Sequence, residues 1–202
     1  MDKTNNYISQ SVFNIDKNLN LSKIAAEKLH IPFDKSFYND NNLIYGNSKS
    51  KNKLVVFTDP FCPACINYIG NDLSNNETIL DKNDVAVYFY SIPVVSNPLN
   101  ETLIKATIFY KIDKNKAIDF NLYKEIITNN IFSNITDKET LLSKFNEIFK
   151  TNYSLKDLES KKVTDIFTNN LSIAEKIGLK ATPTVFYNEL LDIDRKKYII
   201  GE

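Results

Sequence analysis

The sequence has no excess of charge of either sign and no long hydrophobic run. Its 25 basic and 25 acidic side chains balance one another. They are interspersed along the chain, which gives no electrostatic support for binding nucleic acid or a membrane surface. No apolar run approaches the roughly 18 residues of a membrane helix. The 202 residues, 43% of them hydrophobic, are typical of one soluble domain of ordinary size plus an appendage.

Cysteine, histidine and methionine are also scarce. Two cysteines, Cys62 and Cys65, and one histidine, His30, fall short of the four nitrogen or sulfur ligands of a structural zinc site, so only zinc shared between two chains stays open. A structural disulfide between the cysteines would add little stability, because closing so short a loop removes little entropy. Redox chemistry is therefore the leading hypothesis. The alternatives are a soft-metal carrier, for instance for Cu(I), and a catalytically silent scaffold.

The residues around the cysteines predict a strand, a helix and a second, parallel strand. "KLVVF" indicates a buried strand that ends at Asp59-Pro60, and "DVAVYFYSI" indicates the strand that follows "CPACINYIGNDL". At the N-terminal edge of the helix, unpaired backbone N–H groups and the helix dipole would favour the thiolate of Cys62. Pro63 suits the first helical turn because it has no N–H to satisfy. Cys65, about one turn further on, could resolve a mixed disulfide.

The remaining patterns are helical before residue 33 and between about residues 100 and 179. "LNLSKIAAEKLHIPF" predicts a helix that stops at Pro32, on which Leu21, Ile24, Ala25 and Leu29 share one face. Thr136 and Glu139 form a predicted capping box, and Gly178 is a predicted left-handed helix cap. The helix after the capping box is predicted to bury one face, made of Leu141, Leu142, Phe145, Ile148 and Phe149.

The end of the chain predicts a hairpin. Two strand-like runs cover residues 184–187 and 197–200, and a polar turn region joins them. The chain then ends at "YIIGE". Tyr88, Phe89 and Tyr90, on the strand after the cysteines, are predicted to be core and sheet residues.

Two segments resemble one known family. "FTDPFCPAC" resembles the active site of the thioredoxin-fold disulfide oxidoreductases of the bacterial periplasm, the Dsb proteins, and is most similar to the DsbC and DsbG catalytic domains. Far downstream, "KIGLKATPTVFYN" resembles the loop that carries a cis-proline in this superfamily. The resemblance implies an α/β, thioredoxin-like fold over residues 51–202, with a helical insertion at about 99–178. Residues 1–50 would be a partly helical N-terminal extension.

The resemblance also implies an activity and its site. The protein would be a thiol:disulfide interchange enzyme that oxidises, isomerises or reduces protein substrates, with no separate cofactor and no metal. Its partners would be proteins with thiols or disulfides and a membrane redox protein, with a possible homodimer and no nucleic acid. The location would be periplasmic or otherwise extracytoplasmic, with the signal peptide absent from this chain, or alternatively cytoplasmic. The implied site residues are Cys62 as nucleophile, Cys65 as resolving thiol, Thr182 and the cis-proline Pro183 as substrate-binding residues, and Asp59, Phe61, Pro63 and Ala64 as residues that tune the active site.

The chain departs from the family pattern at several points. Val56 stands where thioredoxins keep a buried acid, and no histidine lies between the cysteines as it does in the strong oxidant DsbA. Both departures predict an intermediate reduction potential. The first 50 residues do not match the dimerisation domain of the isomerases, and the final helix of the fold is not evident after "YIIGE". Asp59 has two interpretations, a cap for backbone groups at the strand end or a group that tunes Cys62.

Overall fold

A five-stranded sheet with the order β1-β3-β2-β4-β5 forms the centre of the computed structural model, which describes residues 31–114, 132 and 134–200. The strands are β1 Leu43–Tyr45, β2 Asn52–Thr58, β3 Val85–Ser91, β4 Thr184–Tyr187 and β5 Leu190–Leu191. Strands β2 and β3 are parallel, and the other three neighbouring pairs are antiparallel. The predicted N-terminal helix around Ile24, and His30, lie outside the described residues.

The central strands are buried on both sides. All seven residues of β3 are buried, as are the last five of β2. Val56 pairs with Phe89 on one side and with Val185 on the other. Burial of both faces requires a continuous apolar run rather than an alternating one, which explains why these two strands could be predicted from composition alone.

Helices connect the strands and follow the last one. Helix α1 (Pro63–Asn67) continues through a π-helical segment (Tyr68–Leu73) and a 3-10 turn (Ser74–Asn76) into α2 (Glu77–Lys82). The next helices are α3 (Asn100–Lys114), α4 (Lys138–Phe149), α5 (Leu155–Leu158) and α6 (Lys161–Lys176), with α7 (Lys197–Ile200) after β5 and a 3-10 turn (Lys35–Phe37) before β1. Helices α3 to α6 lie between β3 and β4, and the predicted α/β fold is confirmed. None of the helices within the described ranges combines the length and the apolar character that a membrane span needs.

One hydrophobic core joins the sheet to the helical insertion. Val56 and Val87 of the sheet, Leu103 of α3 and Phe145 of α4 belong to the same buried cluster. The rings of Phe145 and Phe149 stack with their centroids 4.1 Å apart. On the predicted apolar face of α4, four residues are buried and Ile148 is partly buried against the core.

Two helix ends test the predicted caps. Helix α4 begins at Lys138, and its N-cap is Asp137 rather than Thr136: the Asp137 carboxylate accepts a hydrogen bond from the Thr140 N–H at 2.8 Å. The capping-box prediction was wrong by one residue, because aspartate and threonine are both good caps and stand side by side. The Gly178 cap is confirmed, with φ of +63°.

The predicted hairpin is correct in its first strand and wrong in its second. Strand β4 pairs with the two-residue β5, across a turn in which Asn188 and Glu189 both have positive φ. The run at 197–200 forms α7 instead. Its first N–H, from Lys197, donates to the Asp192 carboxylate at 2.9 Å, and Tyr198 is fully buried. The segment therefore forms a short helix, and not a strand, that buries the aromatic ring of Tyr198.

The sheet also includes residues that precede the predicted boundary at residue 50. Strand β1 pairs antiparallel with β3, and the compact unit begins at Phe33. Lys111 of α3 donates to the carbonyl of Leu43 at 2.7 Å. After β1 the chain turns at Gly46, where φ is +72° and an added Cβ would lie 2.6 Å from the carbonyl oxygen of Val85. A three-residue edge strand gives too short a pattern for its recognition in the sequence.

Candidate redox site

Both cysteines lie at the start of the helical run that follows β2. Cys62 is the N-cap of α1, with an extended backbone, and Pro63 occupies the first turn. The carbonyl of Cys62 accepts the Ile66 N–H at 3.0 Å, which closes the first helical turn. Cys62 keeps 8% of its surface exposed, whereas Cys65 has none. Only Cys62 is therefore open to attack from solvent, and both cysteines are free thiols in this structure.

The two thiols have opposite pKa shifts. A hydrogen bond from Cys65 is the main cause that lowers the pKa of Cys62 to about 6, against the opposing effect of burial. The Thr182 side chain and then the backbone N–H groups of Cys65 and Ala64 lower it further. Burial, followed by the proximity of Cys62, raises the pKa of Cys65 well above its ordinary value. A pair of this kind has one thiolate near neutral pH, and that thiolate is on the exposed sulfur.

The loop before β4 meets the cysteines from the other side. The Sγ of Cys62 donates a hydrogen bond to the carbonyl oxygen of Thr182 at 3.4 Å, across 120 residues of sequence. The Thr182-Pro183 peptide bond is cis, and Pro183 is buried. The pairing of Phe57 with Thr184 brings this loop to the end of β2 that leads to Cys62.

Asp59 is a fully buried carboxylate between two loops. Its Oδ1 accepts the Phe61 N–H at 2.7 Å. Its Oδ2 accepts the N–H groups of Val94 and Val95, each at 2.7 Å, and the side-chain N–H of Asn100 at 2.8 Å. Asp59 thus caps backbone groups, which is the first of its two predicted interpretations. The residues that it contacts beyond β3 were not predicted, because no local pattern links positions 35 to 41 residues apart.

The other predicted site residues surround Cys62. Phe61 is partly buried against the hydrophobic core, while Pro63 and Ala64 are exposed beside the nucleophile. Val56 is completely buried in β2, so an apolar side chain fills the position where thioredoxins keep an acid. Within the described part of the chain, no three His, Cys, Asp or Glu side chains are grouped so that they could hold a metal ion.

The protein is of the class of thioredoxin-fold thiol:disulfide oxidoreductases, as the resemblance of its sequence implied. The site has a cysteine of lowered pKa at a helix start, a buried cysteine three residues further on and a cis-proline loop opposite them. Comparison with known proteins agrees. A thioredoxin family profile matches residues 38–195, and the chain belongs to that family.

Two bacterial proteins are similar to this chain in sequence. The chain is 28% identical over 170 residues to proteins named "probable disulfide bond formation protein D" from Bacillus cereus and Bacillus anthracis, covering 78% of this chain and 76% of each relative.

Among solved structures, it is similar to oxidised BdbD from Bacillus subtilis, with a TM-score of 0.62, 15% identity and coverage of 78% of this chain and 87% of that one. It is also similar to the catalytic domain of Proteus mirabilis ScsC, with a TM-score of 0.60, 20% identity and coverage of 82% and 90%. These likenesses confirm the thioredoxin-like fold.

Proposed function

We propose that this protein introduces disulfide bonds into other proteins, with Cys62 and Cys65 as its redox pair. The observation that carries the proposal is that the two sulfurs differ in exposure and in pKa. Cys62 is the one of the two that retains some exposed surface, 8%, and its pKa is about 6. Cys65 is buried beneath it with a raised pKa. A stable Cys62 thiolate favours the reduced form of the pair and is the better leaving group when the mixed disulfide with the substrate is resolved, so the pair passes its disulfide on readily.

The reaction proceeds in two exchanges. A substrate thiolate attacks the Sγ of Cys62 in the disulfide form, so that a substrate–Cys62 disulfide forms, the Cys62–Cys65 bond breaks and Cys65 leaves as a thiolate that takes up a proton. A second substrate thiolate then attacks the substrate sulfur of the mixed disulfide and releases Cys62 as a thiolate. The substrate loses two electrons and gains a disulfide, and the protein is left as the dithiol.

Thr182 and Pro183 would bind the substrate chain during these exchanges. The hydrogen bond that the Thr182 carbonyl accepts from Cys62 supports this role, because a substrate joined to Cys62 would come close to this backbone. Its backbone could pair with an extended substrate segment by strand addition.

The direction of transfer is supported by two observations. The relatives that are 28% identical are named for disulfide bond formation. The pKa of Cys62, about 6, falls between about 7 for thioredoxin and about 3.5 for DsbA. We therefore expect a reduction potential between about −270 mV and about −120 mV, the values of those two proteins.

Turnover requires an external oxidant, since each cycle leaves the pair reduced. We propose a membrane redox protein that accepts the two electrons from the dithiol, and an extracytoplasmic location. The location is supported by similarity to the structure of a periplasmic thioredoxin-like protein from Salmonella enterica, with a TM-score of 0.59 and 16% identity.

The test is the oxidation of a reduced, unfolded protein by the preformed Cys62–Cys65 disulfide. Each molecule that starts with the Cys62–Cys65 disulfide should form one disulfide in the substrate and end as the dithiol. The Cys62→Ser variant should not react. If the wild type forms a stable complex with Cu(I) but transfers no disulfide, the soft-metal carrier would replace this proposal.

A further inference from the structure

A small cavity lies where β1 and the residues before it meet the helical insertion. Its volume is about 30 Å³, which is room for one water molecule or one small ion. Lys111 is the charged residue of its lining, and none of the carboxylates in the described part of the chain borders it. The lining consists of Asn41, Asn42, Ile44, Phe89, Ser91, Ile104, Thr107, Ile108, Lys111 and Asn170.

The ammonium group of Lys111 lies at one wall of this cavity. It donates a hydrogen bond to the carbonyl oxygen of Asp40 and another, at 2.7 Å, to that of Leu43. These two residues flank Asn41 and Asn42, which form the wall. An ammonium group has three N–H donors, so the two carbonyls leave one of them for a further partner.

The positive charge of Lys111 has no ion-pair partner among the residues that the structure describes. Asp40 is the acid whose charge acts on it, but the side chain of Asp40 is exposed. Burial has the larger effect and lowers the pKa of Lys111 to about 8. A partly buried cation loses hydration, and a nearby anion compensates for that loss.

The amide groups of the cavity can also donate to an anion. Asn42 and Asn170 are buried, and each donates one side-chain N–H to the oxygen of the other, at 3.1 and 3.2 Å. An amide NH₂ group has two N–H donors, so this pair of bonds leaves Asn170 a second one. Phe89 and Ile104 belong to the apolar part of the lining, where a low local dielectric strengthens polar interactions.

We propose that this cavity binds one small monovalent anion, such as chloride, beside the ammonium group of Lys111. The size and the charge of the site determine the occupant. A cavity of about 30 Å³ has no room for sulfate, phosphate or a larger organic acid, and a single positive charge matches a single negative one. The bound anion would stabilise the attachment of residues 40–43 to α3. The inference is independent of the proposed function.

The first experiment is urea unfolding at pH 7 in sodium chloride and in sodium gluconate of equal ionic strength, because gluconate is too large for the cavity. Relative to Lys111→Met, the wild type should have an unfolding equilibrium constant at least about fivefold lower in chloride than in gluconate, as expected when chloride is about four times its Kd. The comparison with Lys111→Met removes the general effects of the two anions. Lys114→Met removes a more exposed lysine three residues further along α3, and this variant should respond as the wild type does.

The second experiment observes chloride directly. Exchange of chloride with the site should broaden its chlorine NMR resonance at pH 7 more in solutions of the wild type than in solutions of Lys111→Met. At pH 10 the excess broadening should disappear, because Lys111, with a pKa of about 8, has then lost its proton.

Three results would overturn the inference. If the wild type and Lys111→Met respond equally to the change of anion, the cavity holds only water. If Lys114→Met loses the response as completely as Lys111→Met does, the effect comes from the general charge of α3 and not from this site. If Lys111→Met does not fold, the wild type alone decides, and chlorine broadening that is as large at pH 10 as at pH 7 would rule out Lys111 as the partner of the anion.

Discussion

The pKa of Cys62 can be tested through the pH dependence of its alkylation by iodoacetamide. With a pKa of about 6, Cys62 at pH 5 is about one-tenth thiolate, whereas a free thiol of pKa about 8.5 is about 0.03% thiolate. The lower basicity reduces intrinsic nucleophilicity by about 10- to 20-fold at a Brønsted slope of about 0.4–0.5. At equal access, Cys62 should therefore react about 20-fold faster than a free thiol at pH 5 and about 10-fold slower at pH 9.

The cause of the shift can be tested with a matched pair of variants. Cys65→Ser keeps a hydroxyl donor near Cys62, and Cys65→Ala removes the donor. A hydrogen bond to a charged group contributes about 1.5–3 kcal/mol, which corresponds to about one to two pKa units. We expect the pKa of Cys62 to stay near 6 in the serine variant and to rise to about 7–8 in the alanine variant.

The assay follows single alkylation of the reduced protein by mass spectrometry across pH 4–10. Limited access to Cys62 scales every rate equally, so the midpoint of the curve reports the pKa without knowledge of that factor. A wild-type midpoint at or above about 8 would refute the thiolate argument. Equal midpoints for the serine and alanine variants would refute the role of the Cys65 donor and leave Thr182 and the backbone N–H groups at the helix start as the causes.

Three further predictions concern stability. Burial lowers the pKa of Lys111 to about 8, so between pH 8 and about 10.5 the unfolded chain binds more protons than the folded one. In urea titrations, the free energy of unfolding of the wild type relative to that of Lys111→Met should therefore rise with pH, by up to about 1.4 kcal/mol per pH unit. A difference that does not change with pH would contradict this. Gly46→Ala should destabilise more than Gly178→Ala in thermal melts, because both have positive φ but only at Gly46 does the new Cβ meet backbone; equal losses would mean that the chain near Gly46 shifts freely. Phe145→Ala should cost about 3–5 kcal/mol in urea unfolding, and a loss below about 1 kcal/mol would show that α4 does not anchor the core.

The sequence predicts those features that depend on neighbouring residues. The central strands, the apolar face of α4 and the position of Cys62 before Pro63 all follow from patterns within about ten residues. The three-residue strand β1 and the two-residue β5 are too short to give such a pattern. Near the end of the chain, "YII" favours a strand by propensity, but the Asp192 cap and the burial of Tyr198 make it helical.

In the candidate site, too, the features set by neighbouring residues could be predicted and those set by distant contacts could not. Its two cysteines lie three positions apart and could be recognised from this local spacing. Thr182 and Pro183 could be recognised only through their resemblance to a known loop. The contacts of Asp59 with Val94 and Asn100 arise from the parallel pairing of β2 and β3. Sequence spacing does not indicate such a contact, because the register of the strands, and not the distance along the chain, brings these residues together.

The helical insertion separates the two halves of the redox site along the chain, and this has a consequence for biosynthesis. A chain that emerges N-terminus first presents Cys62 and Cys65 well before Thr182 is made, since Thr182, the carbonyl partner of Cys62, comes 120 residues later. Until β4 is synthesised and pairs with β2, the nascent polypeptide carries two thiols without the Thr182 carbonyl beside them. The redox site is therefore complete only once the last strands of the sheet have been made.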